Sequence, residues 1–120
     1  MPMLLVIGTY GASNATRASL PFQTAKGAVE SGYDVEIMLE HDGVLILNDA
    51  IRRNMRGVGL PPLDDLFEFV INHNIHIYVR RGCAIARGIT EKDLEGKNTE
   101  LIDHKRYAQL VMEREKILIY

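Results

Sequence analysis

The alternation of apolar and polar positions along the chain predicts strands separated by helices. Residues 3–7 are apolar at every position, which is typical of a strand that is buried on both faces of a parallel sheet. Four further segments have strand character: residues 34–40, 75–79, 100–102 and 116–120. Strands joined through helices form right-handed crossovers that place helices on both sides of the sheet. The pattern therefore predicts an α/β protein with three α/β/α layers around a mainly parallel sheet of four or five strands.

The segments between the strands have the spacing of amphipathic helices. From Ala15 onward, apolar residues recur every three or four positions, and Gly32 is placed to end that helix. Ser13 or Asn14 can cap its first turn. Pro21 predicts a helix that starts late or is kinked, because proline lacks the N–H that a helix interior requires. Shorter helices are predicted over residues 44–53, 64–71 and 104–114, with one helical turn after Thr90.

Length and composition limit the kind of protein this is. The chain has 120 residues, of which 47% are hydrophobic and 25% charged, with a formal net charge of −2 at pH 7. These values are ordinary for one globular domain over residues 1–120, and they predict no binding to nucleic acid or a membrane surface. No apolar run approaches the roughly 20 residues that span a bilayer. With a single cysteine and no evident signal peptide, we expect a cytoplasmic protein.

Three segments that follow predicted strands are expected to meet at one edge of the sheet. They are residues 8–14, residues 41–43 and residues 80–88, the last predicted to be a loop bounded by glycines. In an open parallel sheet, ligands bind beyond the carboxyl ends of the strands. A functional site should therefore be assembled from these segments. Besides Cys83 and its neighbours, they contribute Gly8, Thr9, Tyr10, Gly11, His41 and Asp42.

The third segment holds the only cysteine, Cys83, among Arg80, Arg81 and Arg87. Cationic neighbours favour the thiolate form of a cysteine, which is the form that attacks a sulfur donor. Guanidinium groups could also hold an anionic donor, although Arg80 and Arg81 need not both face the sulfur, because neighbouring residues of an extended segment point to opposite sides. The alternative is that Cys83 is a small residue that packs against the sheet edge, as free cysteines often do. Local sequence alone favours this alternative.

The four histidines do not indicate a metal site. None of His41, His73, His76 and His104 pairs with Cys83 or with another histidine at helical metal-ligand spacing. His41 is the one histidine predicted to lie near Cys83. There it could carry a proton, or it could be a solvated residue of the turn. We therefore expect no bound metal.

The first loop, residues 8–14, runs from a strand into a helix, and its backbone amides could cradle a phosphate. Its sequence matches neither the dinucleotide-binding glycine pattern nor a P-loop with its lysine, although it loosely resembles the phosphate loop of flavodoxins. A tight turn followed by a helix cap is the simpler interpretation. A flavin- or nucleotide-binding module is kept as an alternative function, and no cofactor is expected.

Residues 75–89, which end in Cys-Ala-Ile-Ala-Arg-Gly-Ile, resemble the DsrE/DsrF-like family of small sulfur-relay proteins. The resemblance extends to the Gly-Thr-Tyr-Gly loop after the first strand, to Met-Leu-Glu-His-Asp-Gly-Val at residues 38–44, and to the closing helix and strand. It implies a flavodoxin-like parallel sheet and assembly into homo- or hetero-oligomers, commonly trimers or hexamers. It also implies a persulfide carried on a cysteine after the third strand.

The sequence departs from these relatives directly after the third strand. Many relatives have a cysteine there and often a second one three residues later, whereas this chain has Arg80 and then Cys83 alone. A disulfide cycle within one chain is therefore excluded. The resemblance implies a sulfur carrier or sulfurtransferase-like protein in which Cys83 passes on sulfane sulfur and Arg80, Arg81, Arg87 and His41 bind the donor. The alternative is a non-catalytic subunit of the same fold that has lost the relay. We also expect a homo-oligomer, a trimer or hexamer, with a sulfur-carrier protein as a candidate partner.

Overall fold

The computed structural model describes residues 3–120, in which five parallel strands form one sheet. Met1 and Pro2, which the predicted domain includes, lie outside the described residues. The strands are β1 (Met3–Gly8), β2 (Asp34–Leu39), β3 (Ile77–Arg80), β4 (Thr99–Ile102) and β5 (Lys116–Ile119). They lie in the order β4-β3-β2-β1-β5, and every neighbouring pair is parallel. All five predicted strands are confirmed, with ends that move by at most two residues.

Helices lie on both sides of this sheet, so the predicted flavodoxin-like α/β/α fold is confirmed. The helix predicted over residues 44–53 is divided, because a 3-10 segment runs over His41–Leu47 and an α-helix begins only at Asp49, where the Asn48 side chain caps it. No helix within residues 3–120 is long and apolar enough to cross a membrane. The α-helices of this part of the chain are α1 (Ala15–Glu30), α2 (Asp49–Arg53), α3 (Leu63–Asn72), α4 (Arg81–Ala86), α5 (Glu91–Leu94) and α6 (His104–Glu113).

The larger hydrophobic core lies between the sheet and the helices α1 and α3. Val6, Ile37 and Val79 are fully buried strand residues, and they belong to the same cluster as Phe22 of α1 and Phe67 of α3. The two phenylalanine rings contact each other with their centroids 5.6 Å apart. Because successive side chains along a strand point to opposite faces of the sheet, these residues lie on one face and their neighbours in each strand lie on the other.

The opposite face of the sheet carries a smaller core to which α6 contributes. Leu110 of α6 is fully buried against alternate strand residues, and Tyr107 packs at the edge of the cluster. This arrangement places the start of α6 close to the carboxyl edge of the sheet. The buried members of the smaller core are Leu5, Ile7, Met38, Tyr78, Ile102 and Leu110.

Helix α1 is continuous through Pro21, so the predicted late start is wrong. The Asn14 side chain caps the first turn by accepting a hydrogen bond from the Arg17 N–H at 3.1 Å. Pro21 is buried and packs beside Gly8, where an added Cβ would lie 3.1 Å from the proline Cγ. The cap and this packing offset the hydrogen bond that a proline removes from a helix. The predicted end of the helix is confirmed, since Gly32 follows it with a φ of 82°.

A buried ion pair ties the end of α6 to the sheet. Arg114 donates from Nε to the Glu36 carboxylate, whose side chain is 5% exposed, and from Nη2 to the Tyr78 hydroxyl at 3.3 Å. The hydrogen bond to Glu36 raises the pKa of the Arg114 guanidinium. Burial, and then the Glu36 charge, raises the pKa of the Tyr78 hydroxyl. Both groups therefore stay protonated at neutral pH, and the ion pair holds α6 across the sheet.

Candidate functional site

The three segments predicted to form a site meet at the carboxyl edge of the sheet. Gly43 lies so close to the carbonyl oxygen of Gly8 that an added Cβ would clash with it. At Gly11, an added Cβ would lie 2.7 Å from the carbonyl oxygen of Asp42. The Glu40 N–H also donates to the Gly8 carbonyl at 3.0 Å. The first and second segments therefore touch through backbone, at two positions where only glycine fits without displacement.

Cys83 lies in a short helix, and the loop predicted for residues 80–88 is wrong. Strand β3 ends at Arg80 and α4 begins at Arg81, so Cys83 is the third residue of the helix. Arginine and alanine, which make up half of α4, favour helix, and Gly88 follows the helix with a φ of 73°. The glycine that suggested a loop thus follows the end of a helix. Cys83 is half-buried and packs against the larger core.

A cleft of about 350 Å³ opens beside Cys83, between the first turn of α4 and the junction of β4 with α6. Arg80 at the end of β3 is the register partner of Ile102 at the end of β4. After each residue of this pair, the chain enters a helix within two residues: α4 after Arg80 and α6 after Ile102. Cys83 and His104 therefore line the same cleft.

Sequence reasoning missed the wall of the cleft that Asp103 and His104 form. Asp103 caps α6 by accepting a hydrogen bond from the Arg106 N–H at 2.9 Å, and this bond lowers the pKa of the Asp103 carboxyl. His104 is exposed at the first position of the helix. The signal that could have found both residues is the strand order, because β4 lies next to β3. The strand order depends on the whole fold and cannot be inferred from a local sequence motif.

Arg80 is engaged below the cleft by a buried carboxylate and an aromatic ring. Its Nη1 lies 3.7 Å from Oε1 of Glu40, whose side chain is 8% exposed, and its guanidinium lies over the Tyr107 ring at 4.6 Å. Burial and a hydrogen bond to Glu40 raise the pKa of the Tyr107 hydroxyl. The charge of Arg80 is therefore balanced locally, and Arg80 connects the end of β3 to α6 and to Glu40, the residue that follows β2.

Arg87 and Arg81 have different environments. Arg87 donates from Nε to Oδ1 of Asp42 at 2.8 Å and from Nη1 to the Cys83 carbonyl oxygen at 3.3 Å. It therefore contacts the backbone of the cysteine residue and holds α4 against the second segment. Arg81 is exposed and lines the cleft. Of the three arginines predicted to bind a donor, Arg81 is thus the one whose charge is directed at neither Glu40 nor Asp42.

His41, predicted to lie near Cys83, is not among the residues that line the cleft. It is exposed, with a φ of 51°, and its Nε2 lies 3.5 Å from Oε1 of Glu40. Two other histidines precede β3 and are not among the residues that line the cleft: His76 pairs with Glu100 at 3.0 Å, and His73 stacks on Phe69. Within residues 3–120, no three His, Cys, Asp or Glu side chains are grouped to hold a metal ion.

Thr9 and Asn14 of the first segment, residues 8–14, use their polar groups within the protein. Both the N–H and the hydroxyl of Thr9 donate to the carbonyl oxygen of Tyr120, at 3.1 and 2.7 Å. The guanidinium of Arg17 lies over the ring of Tyr10, 5.4 Å from its centroid. A phosphate cradle needs free backbone donors. The Thr9 amide is therefore not free for such a cradle, and the Asn14 side chain serves as the cap of α1.

A family model decides which proteins this chain is related to. The model of the DsrE/DsrF-like family matches residues 3–120. The chain belongs to the DsrE/DsrF-like family. The match includes all five strands as well as α4 with Cys83 and the junction of β4 with α6.

Relatives of this DsrE/DsrF-like protein include sequences and structures of unassigned activity. The uncharacterized protein MJ0760 of Methanocaldococcus jannaschii is 32% identical over 92 residues, which are 77% of this chain and 34% of that protein. The chain thus spans about a third of the length of this curated relative. The crystal structure of YchN from E. coli has a TM-score of 0.78 at 17% identity and covers 100% of both chains. MTH1491 from Methanobacterium thermoautotrophicum, a protein of unknown function, has a TM-score of 0.64 at 14% identity and covers 99% of this chain and 98% of its own. These two structures share the fold.

Proposed function

We propose that this DsrE/DsrF-like protein is a cytoplasmic sulfur carrier in which Cys83 accepts a sulfane sulfur and passes it on as a persulfide. The position of Cys83 supports the proposal most directly. The only cysteine of the chain is half-buried beside a cleft at the carboxyl edge of a parallel sheet, which is where ligands bind in this architecture. Membership of a family associated with sulfur relay supports this chemistry.

The loading step needs no cofactor. The Cys83 thiolate attacks the outer sulfur of a donor such as thiosulfate, and the S–S bond of the donor breaks. The bonding electron pair leaves with sulfite, and the product is a persulfide on Cys83. In the delivery step, the thiolate of an acceptor, such as a sulfur-carrier protein, attacks the terminal sulfur and Cys83 leaves as a thiolate. Neither step consumes an oxidant or a reductant.

The arginines have separate roles in this proposal. Arg81 is exposed in the cleft and is suited to bind the two negative charges of thiosulfate. Arg80 is paired with Glu40 and stacked on Tyr107, so it shapes the floor of the cleft. Arg87 holds α4 in place through Asp42. The donor-binding charge predicted for three arginines thus resides mainly in one.

Intact-mass spectrometry tests the proposal. After incubation with thiosulfate and removal of excess donor, the wild-type protein should gain the mass of one sulfur atom, and dithiothreitol should remove it. The Cys83→Ser variant should gain nothing. An unchanged mass of the wild-type protein with thiosulfate, tetrathionate, and sulfide plus an oxidant would exclude the carrier function.

A second candidate is a non-catalytic subunit that has lost the relay, and Arg80 is the observation that favours it. Arg80 occupies the position at which many relatives have a cysteine, and its contacts with Glu40 and Tyr107 fill the space below the cleft. Such a subunit would keep the fold and the surfaces for assembly. It predicts no loading of Cys83 by any donor, so the mass experiment separates the two candidates.

We also propose that the protein forms a homo-oligomer, either a trimer or a hexamer. Large apolar side chains are exposed near the β5 edge of the sheet: Met112 is 84% exposed, Ile119 64% and Leu118 43%. A small domain with such a surface gains stability by burying it against a second copy. Light scattering at micromolar concentration tests this, and a monomer would contradict it.

A further inference from the structure

The cleft brings a histidine to the cysteine from a different part of the chain. Helix α5 and strand β4 separate His104 from the helix that holds Cys83, yet the pairing of Arg80 with Ile102 sets the two segments side by side at the edge of the sheet. From that pair, the chain continues three residues to Cys83 on one side and two residues to His104 on the other. Both residues line the same cleft of about 350 Å³.

The groups around His104 in the cleft are charged on two sides and apolar on a third. Arg80 and Arg81 line the cleft from the junction of β3 with α4, and Asp103 precedes His104 on its own element. Arg80 is paired with Glu40, and the Asp103 carboxylate accepts from the N–H groups of the first turn of α6. The side chains of Ile85 and Ile102 form an apolar part of the wall.

A histidine can exchange a proton near neutral pH, whereas arginine remains charged and a capping aspartate remains ionised. Among the described residues that line the cleft, His104 is the side chain with this property. Of the other histidines, His41 contacts Glu40, His73 stacks on Phe69 and His76 pairs with Glu100.

We propose that His104 exchanges the proton of the Cys83 thiol, an inference that rests on the proposed function but concerns a residue which that function does not require. The neutral imidazole accepts the thiol proton, so that a thiolate and an imidazolium face each other across the cleft. The thiolate then attacks the donor sulfur, and sulfite leaves with the electron pair. The imidazolium remains opposite the persulfide anion, and returns its proton to water or to the Cys83 thiolate after delivery.

Alkylation of Cys83 measures this exchange without any sulfur donor. Because the chain has one cysteine, the rate of reaction with iodoacetamide reports on Cys83 alone. In the wild-type protein, the dependence of the rate on pH should show an inflection that comes from the protonation of His104. His104→Gln should remove this inflection and slow alkylation at pH 7 by about fivefold, since a neutral amide cannot accept the proton.

Two further variants make the result specific. His104→Arg keeps a positive charge but cannot accept a proton, so alkylation at pH 7 should stay fast while the inflection disappears. His73→Gln, at the opposite edge of the sheet, should retain the wild-type rate and profile. A wild-type profile in both His104 variants would overturn the inference.

The two proposals fail in distinguishable ways. If alkylation depends on His104 but no donor loads Cys83, the proton exchange stands and the sulfur-carrier function falls. If thiosulfate loads Cys83 equally well in the wild-type and His104→Gln proteins and alkylation is unchanged, the carrier function stands and the role of His104 falls.

Discussion

Arg87 lies immediately after α4 and donates a hydrogen bond from Nε to Oδ1 of Asp42 at 2.8 Å. A second bond runs from its Nη1 to the Cys83 carbonyl oxygen at 3.3 Å. The guanidinium thereby connects the helix that carries the cysteine to the 3-10 segment that follows β2. Its contacts with the cysteine residue are through backbone, so its effect on Cys83 is positional.

The first prediction follows from this contact. Arg87→Met should speed the alkylation of Cys83 by iodoacetamide at pH 7 by about two- to fivefold, because α4 loses a tether and opens locally more often. Arg53→Met is the control, since Arg53 is exposed and lies 3.9 Å from Asp64, away from α4. Slower alkylation of the Arg87 variant would instead mean that its charge acts on the thiolate.

The second prediction concerns the contact between the first two segments of the edge. Gly43→Ala should lower the free energy of unfolding by about 1–3 kcal/mol, because the new methyl group would strike the carbonyl oxygen of Gly8. Gly27→Ala is the matched control: it lies within α1 with open space around its Cα. The control should raise stability by about 0.5–1 kcal/mol. Urea unfolding measures both, and equal effects would refute the steric argument.

The third prediction tests the ion pair beneath α6. Arg114→Met should cost about 3 kcal/mol of stability, because it leaves the buried Glu36 carboxylate without its partner. Arg106→Met removes a partly exposed arginine 3.9 Å from Glu113 and should cost less than about 1 kcal/mol. Thermal or urea unfolding of the two variants under the same conditions provides the comparison. A small effect at Arg114 would show that water reaches Glu36.

The fourth prediction is a dependence of stability on pH. Hydrogen bonds from Arg52 and then Lys97 lower the pKa of Asp49 from 3.8 to about 2. A carboxylate whose pKa is lower in the folded state adds stability above about pH 4 and loses it as the pH falls toward 2. Asp49 is half-exposed, so screening limits the contribution to about 1 kcal/mol or less.

Asp49→Asn should therefore lower stability at pH 7 and make it fall less steeply between about pH 4 and pH 2. Glu30→Gln, which changes an exposed carboxylate at the end of α1, is the control and should leave the slope unchanged. Urea unfolding across this range measures the slope. A slope in the Asp49 variant equal to that of the wild-type protein would show that the bonds to Arg52 and Lys97 do not form in solution.

The strands could be predicted from the sequence because local patterns determine them. An apolar run such as residues 3–7 has one stable environment, between two layers of helices. The short helix α4 could not be predicted, since both glycines suggested a loop, whereas Gly82 is the second residue of the helix and Gly88 follows its end. The continuity of α1 through Pro21 depends on the packing of Pro21 against Gly8, and this contact cannot be inferred from a local sequence pattern.

The candidate site was predictable on one side only. The position of Cys83 follows from the rule that parallel strands place their following segments at one edge. The opposite wall depends on β4 lying beside β3, and on the pairing of Arg80 with Ile102. That pairing joins segments more than twenty residues apart. The position of His104 in the site therefore depends on the strand order and not on a local motif.

The last prediction separates the roles of Arg80 and Arg81 in loading Cys83 with sulfur. Arg81→Met should slow loading from thiosulfate by about fivefold, which corresponds to about 1 kcal/mol, because an exposed charge of the cleft that attracts the dianion is lost. Removing Arg80 alone would take the arginine partner away from the buried Glu40, so a slower rate could reflect lost stability and not lost charge. The matched control is therefore the double variant Arg80→Met with Glu40→Gln, which removes both charges and leaves the net charge of the cleft floor unchanged. It should load within about twofold of the wild-type rate. Time-resolved intact-mass spectrometry gives both rates. If the double variant is slowed as much as Arg81→Met, Arg80 takes part in binding the donor, and the assignment of that role to Arg81 is wrong.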